Sequence, residues 1–214
     1  MKVLLLLLSL IWAMPAWAAG PTLYKEFSYG QSRAEIQQLP GVYACDEVDT
    51  GALCRSQQSF ASFDGWEQIF LFSNDKLVVV ALAADTSESL YTNVFGVMHN
   101  NGFFTVVMQA GNKVFDFAQA IREYGVEAAA TKLTQTEAAF LNDSAPLTYT
   151  MCPKEAVKAA SKVGSFSLYA QKAPASLRAT EVIISSELMM VRFLAPVAAL
   201  HDMRRQMDSQ KERF

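Results

Sequence analysis

Three cysteines and two histidines are the residues of this 214-residue chain whose types most readily support reaction chemistry. Cys152 set against His99 or His201 would make a thiol and imidazole pair, in which the ring takes the thiol proton and frees a nucleophile. A cysteine-dependent hydrolase is therefore one reading of the chain. No local signature surrounds Cys152, however, and Pro153 directly after it has the position of helix punctuation. Neither histidine has a second ligand three or four residues away, so no metal site is expected. A Gly-x-Ser-x-Gly elbow and a glycine-rich phosphate loop are both missing. The expectation is a non-enzymatic protein without a cofactor.

The other two cysteines have a structural use. Cys45 and Cys54, eight residues apart in the intervening chain, can close a small disulfide loop in an oxidising compartment. Cys152 is then left as a buried, inert thiol. The loop carries Asp46, Glu47 and Asp49 but lacks the alternating oxygen ligands and terminal glutamate of a calcium site. A solvated acidic loop is the plain reading, and Asp46 with Glu47 could instead form an interaction surface. Phe63 and Trp66 flank Asp64-Gly65 ahead of a strand, where partial exposure would make them a binding ridge.

The first 18 residues read as a secretory signal: Lys2, an apolar run from Val3 to Trp12, then Pro15 and Ala16-Trp17-Ala18. The apolar run is too short to span a bilayer, and no lipid-accepting cysteine follows Ala18. A periplasmic or secreted location is expected, with no membrane span after cleavage. Removing those 18 residues leaves 196, with 17 basic and 21 acidic side chains. That net negative balance, with no basic stripe, disfavours nucleic acid as a partner.

The elements that must position these residues follow from periodicity. Residues 66–83 form two apolar runs joined by Ser73-Asn74-Asp75-Lys76, read as a hairpin with a four-residue connection whose second strand is the centre of a sheet. Ser32 and Glu35 form a capping box ahead of Ile36 and Leu39, and residues 85–88 give a second such signal ahead of Leu90, Val94, Val97 and Met98. Residues 103–108 are expected to form a strand, with a buried turn as the alternative. Asn112 is expected to open a helix with Phe117, Ile121 and Tyr124 inward, ending or kinking at Gly125. Helical spacing continues from Val126 to Leu133, with Thr134 and Glu137 capping a last short helix.

Leu147 to Met151 alternates as a half-exposed strand, and Pro153 starts a helix that stops at Gly164. Residues 166–170 alternate as a further strand, 182–186 and 188–194 complete two more strands or one long strand bent around Ser185-Ser186, and Pro196 opens a final helix with Met203 and Met207 inward. The whole is α+β, a largely antiparallel sheet covered by helices. A single domain over 19–214 is expected, with a possible subdivision near 110–113.

Gly30, Ser32, Glu35, Ile36, Leu39, Gly41, Phe70, Phe72 and Leu77 follow a further pattern: a glycine, a capped short helix, a leucine-glycine stop and an aromatic hairpin. Over about Tyr29 to Leu82 this resembles the αα-βββ module of SmpA/OmlA-type outer-membrane assembly lipoproteins, found duplicated in β-lactamase inhibitor protein. Here the stop reads Leu39-Pro40-Gly41-Val42. The resemblance implies an exported protein that binds an envelope protein partner through its sheet face or the disulfide loop. The alternative is a carrier of a small apolar ligand, held between the sheet and the helices of residues 115–141.

Overall fold

Asn74 and Asp75 reverse the chain in two residues, both at positive φ of 49° and 58°. Their short polar side chains tolerate the left-handed region that such a turn demands. Ser73 consequently pairs with Lys76, and the connection is shorter than the four residues expected. In this computed structural model, which describes residues 20–46, 48–142 and 145–211, the turn joins β5 (Phe63–Ser73) to β6 (Lys76–Asp85). Leu77 and Val79 to Leu82 are all buried, as an unbroken apolar strand requires.

A two-stranded lead, β1 (Thr22–Tyr24) and β2 (Phe27–Ser28), precedes helix α1 (Arg33–Gln37). Ser32 and Glu35 complete the capping box there, and Ile36 is fully buried. Then come β3 (Val42–Ala44) and β4 (Leu53–Phe60), and after the β5–β6 hairpin α2 (Glu88–Asn100), β7 (Phe103–Ala110) and β8 (Lys113–Asp116). Helices α3 (Phe117–Tyr124) and α4 (Val126–Leu141), β9 (Leu147–Pro153), α5 (Lys154–Val163) and α6 (Phe166–Ala170) follow. The chain closes with β10 (Ala179–Ile184), β11 (Leu188–Leu194) and α7 (Pro196–Lys211).

Nine strands form one antiparallel sheet in the order β3-β4-β5-β6-β11-β10-β9-β7-β8. Short strands close both edges, which limits the unpaired backbone offered to other chains. This is the expected α+β architecture. The main core fills one face, joining Trp66, Phe70, Leu82, Tyr149, Val182 and Val191 to Leu90, Val94 and Met98 of α2 and Phe140 of α4. A second cluster gathers Val106 and Cys152 against Ala118, Ala156, Val157 and Ala160 of α3 and α5. A third backs the disulfide with Ile69, Val79 and Ala81.

Three expectations need correction. Ala110 pairs with Lys113, and Gly111-Asn112 is the turn between β7 and β8 within the sheet. The helix expected from Asn112 therefore begins at Phe117, where the Asp116 side chain accepts from Gln119 N; Tyr124 points outward and is 53% exposed. Residues 166–170 are helical rather than extended. Ser165 caps them by accepting from Leu168 N, and Asp116 Oδ2 accepts from Phe166 N at 2.9 Å, so backbone donors are satisfied locally in spite of the alternating pattern. In α7 Val197 and Ala198 are buried while Met203 is exposed, so the inward stripe fades within two turns.

The signal segment and Glu47 lie outside the described residues. Among the described residues no helix is long and apolar enough to cross a membrane.

Candidate functional site

Helix α2 carries two adjacent rows of side chains. Leu90, Val94 and Met98 pack on the sheet, and one position on, Tyr91, Phe95 and His99 form a rail of rings with the same four-residue step. Ser87 starts the helix by accepting from Leu90 N at 3.1 Å. Thr86 Oγ1 donates to Ser185 O, which ties the start of α2 to the β10–β11 turn. Tyr91 and Phe95 are 4.6 Å apart, and Phe95 meets Tyr149 edge to face at 4.7 Å. His99 stacks on Phe104 at 5.5 Å.

Across from this rail stands α4, whose inner face carries Ala129, Leu133, Glu137 and Phe140. Between them is a cavity of about 360 Å³, its floor made by Thr105, Met108 and Tyr149 of β7 and β9. A β-bulge in β7 shapes the floor. The register shifts between Thr105 and Val107, so Val106 turns into the second cluster while Thr105 and Met108, opposite Met151 and Tyr149, both reach the cavity.

Glu137 is the polar centre. The Tyr91 hydroxyl donates to its Oε1 at 2.8 Å, and the Tyr149 hydroxyl donates to the same oxygen at 2.7 Å. Burial, then the Glu137 carboxylate among further contributions, pushes the Tyr91 phenol up to about 12. Tyr149, only 1% exposed, is raised further by burial, by Glu137 and by Tyr91. Both phenols are held protonated as donors, with the carboxylate as their acceptor.

These shifts set an alkaline limit on stability. In the unfolded chain the phenols titrate near 10.0 and the Cys152 thiol near 9.0, whereas the folded protein holds Tyr149 and Cys152 protonated to higher pH. Groups raised in the folded state stabilise it fully below their unfolded values and lose that contribution as pH climbs toward the folded ones. Unfolding free energy is expected to fall above about pH 9, by roughly 1.4 kcal/mol per pH unit for each such fully buried group. Urea midpoints measured from about pH 8 to 11 test this, and Tyr149→Phe should flatten the curve by one group's slope.

The residues singled out from the sequence are scattered. Cys45 and Cys54 are joined at a Cα separation of 5.8 Å, the bond enclosed within the third cluster. Asp46 spends one carboxylate oxygen on Gly51 N at 2.8 Å, stiffening its own loop. Trp66 is not a surface ridge. It is 0% exposed, edge-on to Phe60, with its Nε1 donating to Phe60 O at 3.0 Å. Phe63, at the start of β5, is half-buried against the main core.

Cys152 is free and 0% exposed, and burial pushes its thiol up to about 12, so little thiolate exists near neutral pH. Among the described residues no group of three His, Cys, Asp or Glu side chains is placed to hold a metal ion.

Glu137 was legible as a cap partner from the sequence, but α4 runs unbroken through it. The available signal was its place in the helical stripe of Ala129, Leu133 and Phe140, where an apolar residue is the rule. Tyr91 and Tyr149 gave no such signal alone, because each fits its own element equally well as core. A second depression of about 350 Å³ lies between β8, α3 and α4. It is lined by Asp116, Gln119, Glu123 and Lys132, and its best-placed acid, Asp116, is already occupied by Gln119 N and Phe166 N. Compared with family models, curated proteins and solved structures, the chain matches none.

Proposed function

We propose that this is an exported, disulfide-stapled protein that binds a small ligand in the cavity between α2, α4 and the sheet. The observation that carries the reading is the cavity itself: about 360 Å³, walled by rings, with one carboxylate clamped by two phenols on its inner side. Small-molecule sites typically enclose about 300–1,000 Å³ of mostly apolar lining with a few placed polar groups. A carboxylate accommodated there in place of an apolar side chain is a costly choice for packing alone.

The disulfide and the apolar, alanine-terminated leader support export. A protein partner engaged through Phe63, Trp66, Asp46 and Glu47 has less behind it, since Trp66 belongs to the core and Asp46 is bonded within its loop.

Native mass spectrometry of the full exported chain, isolated gently from its own envelope, tests the proposal. A low-mass adduct is expected on the wild type and should be absent from Leu133→Trp, which fills the cavity. An adduct retained by that variant, or a bare wild-type protein, counts against the cavity as the site.

A further inference from the structure

The cavity between α2 and α4 favours one sign of charge. Both phenols donate to Glu137 Oε1, and no bond to Oε2 is formed among the described residues. Side chains of Tyr91, Phe95 and Tyr149 crowd the same wall, with ring centres 4.6 and 4.7 Å apart. Aromatic faces carry the negative part of the ring quadrupole and attract a cation lying within about 6 Å. No lysine or arginine stands among the described lining residues to offset the carboxylate.

We infer that the ligand is a small organic cation, an alkylammonium or arylammonium whose nitrogen sits against Glu137 Oε2 and the rings of Tyr91 and Phe95. Its apolar body lies along Met108 and Leu133. This rests on the reading of the cavity as a ligand site and adds the charge of what it takes. An anion of the same shape is repelled by the carboxylate. A polyol fits poorly, because each hydroxyl it buries needs a partner and the wall offers little beyond Glu137, Thr105 and His99.

The test is calorimetric titration of the full mature chain at neutral pH. Three probes share one skeleton: phenethylammonium, phenethyl alcohol and phenylacetate. Phenethylammonium is expected to bind at least about tenfold tighter than phenethyl alcohol, with phenylacetate weakest. Glu137→Gln keeps an acceptor for both phenols and removes the charge, and it is expected to bring the cation-to-alcohol ratio close to one. Alcohol binding as tightly as the ammonium in the wild type overturns the inference and leaves the cavity reading intact. A cation preference that survives unchanged in a folded Glu137→Gln protein overturns it equally. Failure of all three probes to bind folded wild type removes the cavity reading together with the inference.

Discussion

Trp66→Ala is expected to lower the unfolding free energy by about 3 to 5 kcal/mol. The indole is fully enclosed, with its ring centre 5.5 Å from that of Phe60. Truncating it opens a void that the sheet beneath cannot close, because Trp66 lies in β5 with β4 and β6 on either side. The same change strips Phe60 O of its donor, which adds to the loss if water does not reach that carbonyl.

A chain of this size is stable by roughly 5 to 15 kcal/mol, so the variant should show a large fall in its urea midpoint. The outcome discriminates sharply between a core and a surface indole. An exposed tryptophan contributes within about 0.5 kcal/mol, and a loss under about 1 kcal/mol would mean the ring is not enclosed.

Removing the Cys45–Cys54 bridge, by Cys45→Ser with Cys54→Ser, is expected to lower stability by about 2 to 3 kcal/mol. The sequence separation is 9, and a loop of that size restricts the unfolded chain by roughly this amount. Local order should amplify the effect rather than replace it. Cys45 N donates to Ala52 O, Ala52 N donates to Asp49 O, and Arg33 Nη1 donates to Gly51 O, so the loop is tied to itself and to α1.

Cys45 and Cys54 are each 1% exposed, so mild reductant should act only after local opening. Comparing melts of the serine pair with those of the wild type under oxidising conditions measures the contribution. Equal melting temperatures would show that the loop's hydrogen bonds suffice without the covalent link.

Much of the fold can be derived from local chemistry. The Ser32 and Glu35 capping box, the Ser87 cap, the reversal at Asn74-Asp75 and the stop at Gly164 each depend on groups within a few residues of one another. The unbroken apolar run of β6 likewise announces burial on both faces. Where local patterns misled, a distant partner had intervened: Asp116 holds the start of α6 from 50 residues away, in a stretch whose alternation suits a strand. Trp66 misled for a similar reason. An indole beside Asp-Gly looks like a rim residue until the bulged end of β4 folds Phe60 over it.

The amino-acid order by itself determined the cysteine pairing, the positions of most elements and the antiparallel α+β class, because those follow from spacing, caps and period. Only the tertiary structure decided that Tyr91, Glu137 and Tyr149, from α2, α4 and β9, meet at one carboxylate oxygen. Their separations of 46 and 12 residues carry no periodic signal, and only sheet order and the bulge at Val106 bring them within 3 Å. The cavity and its chemistry arise from that convergence.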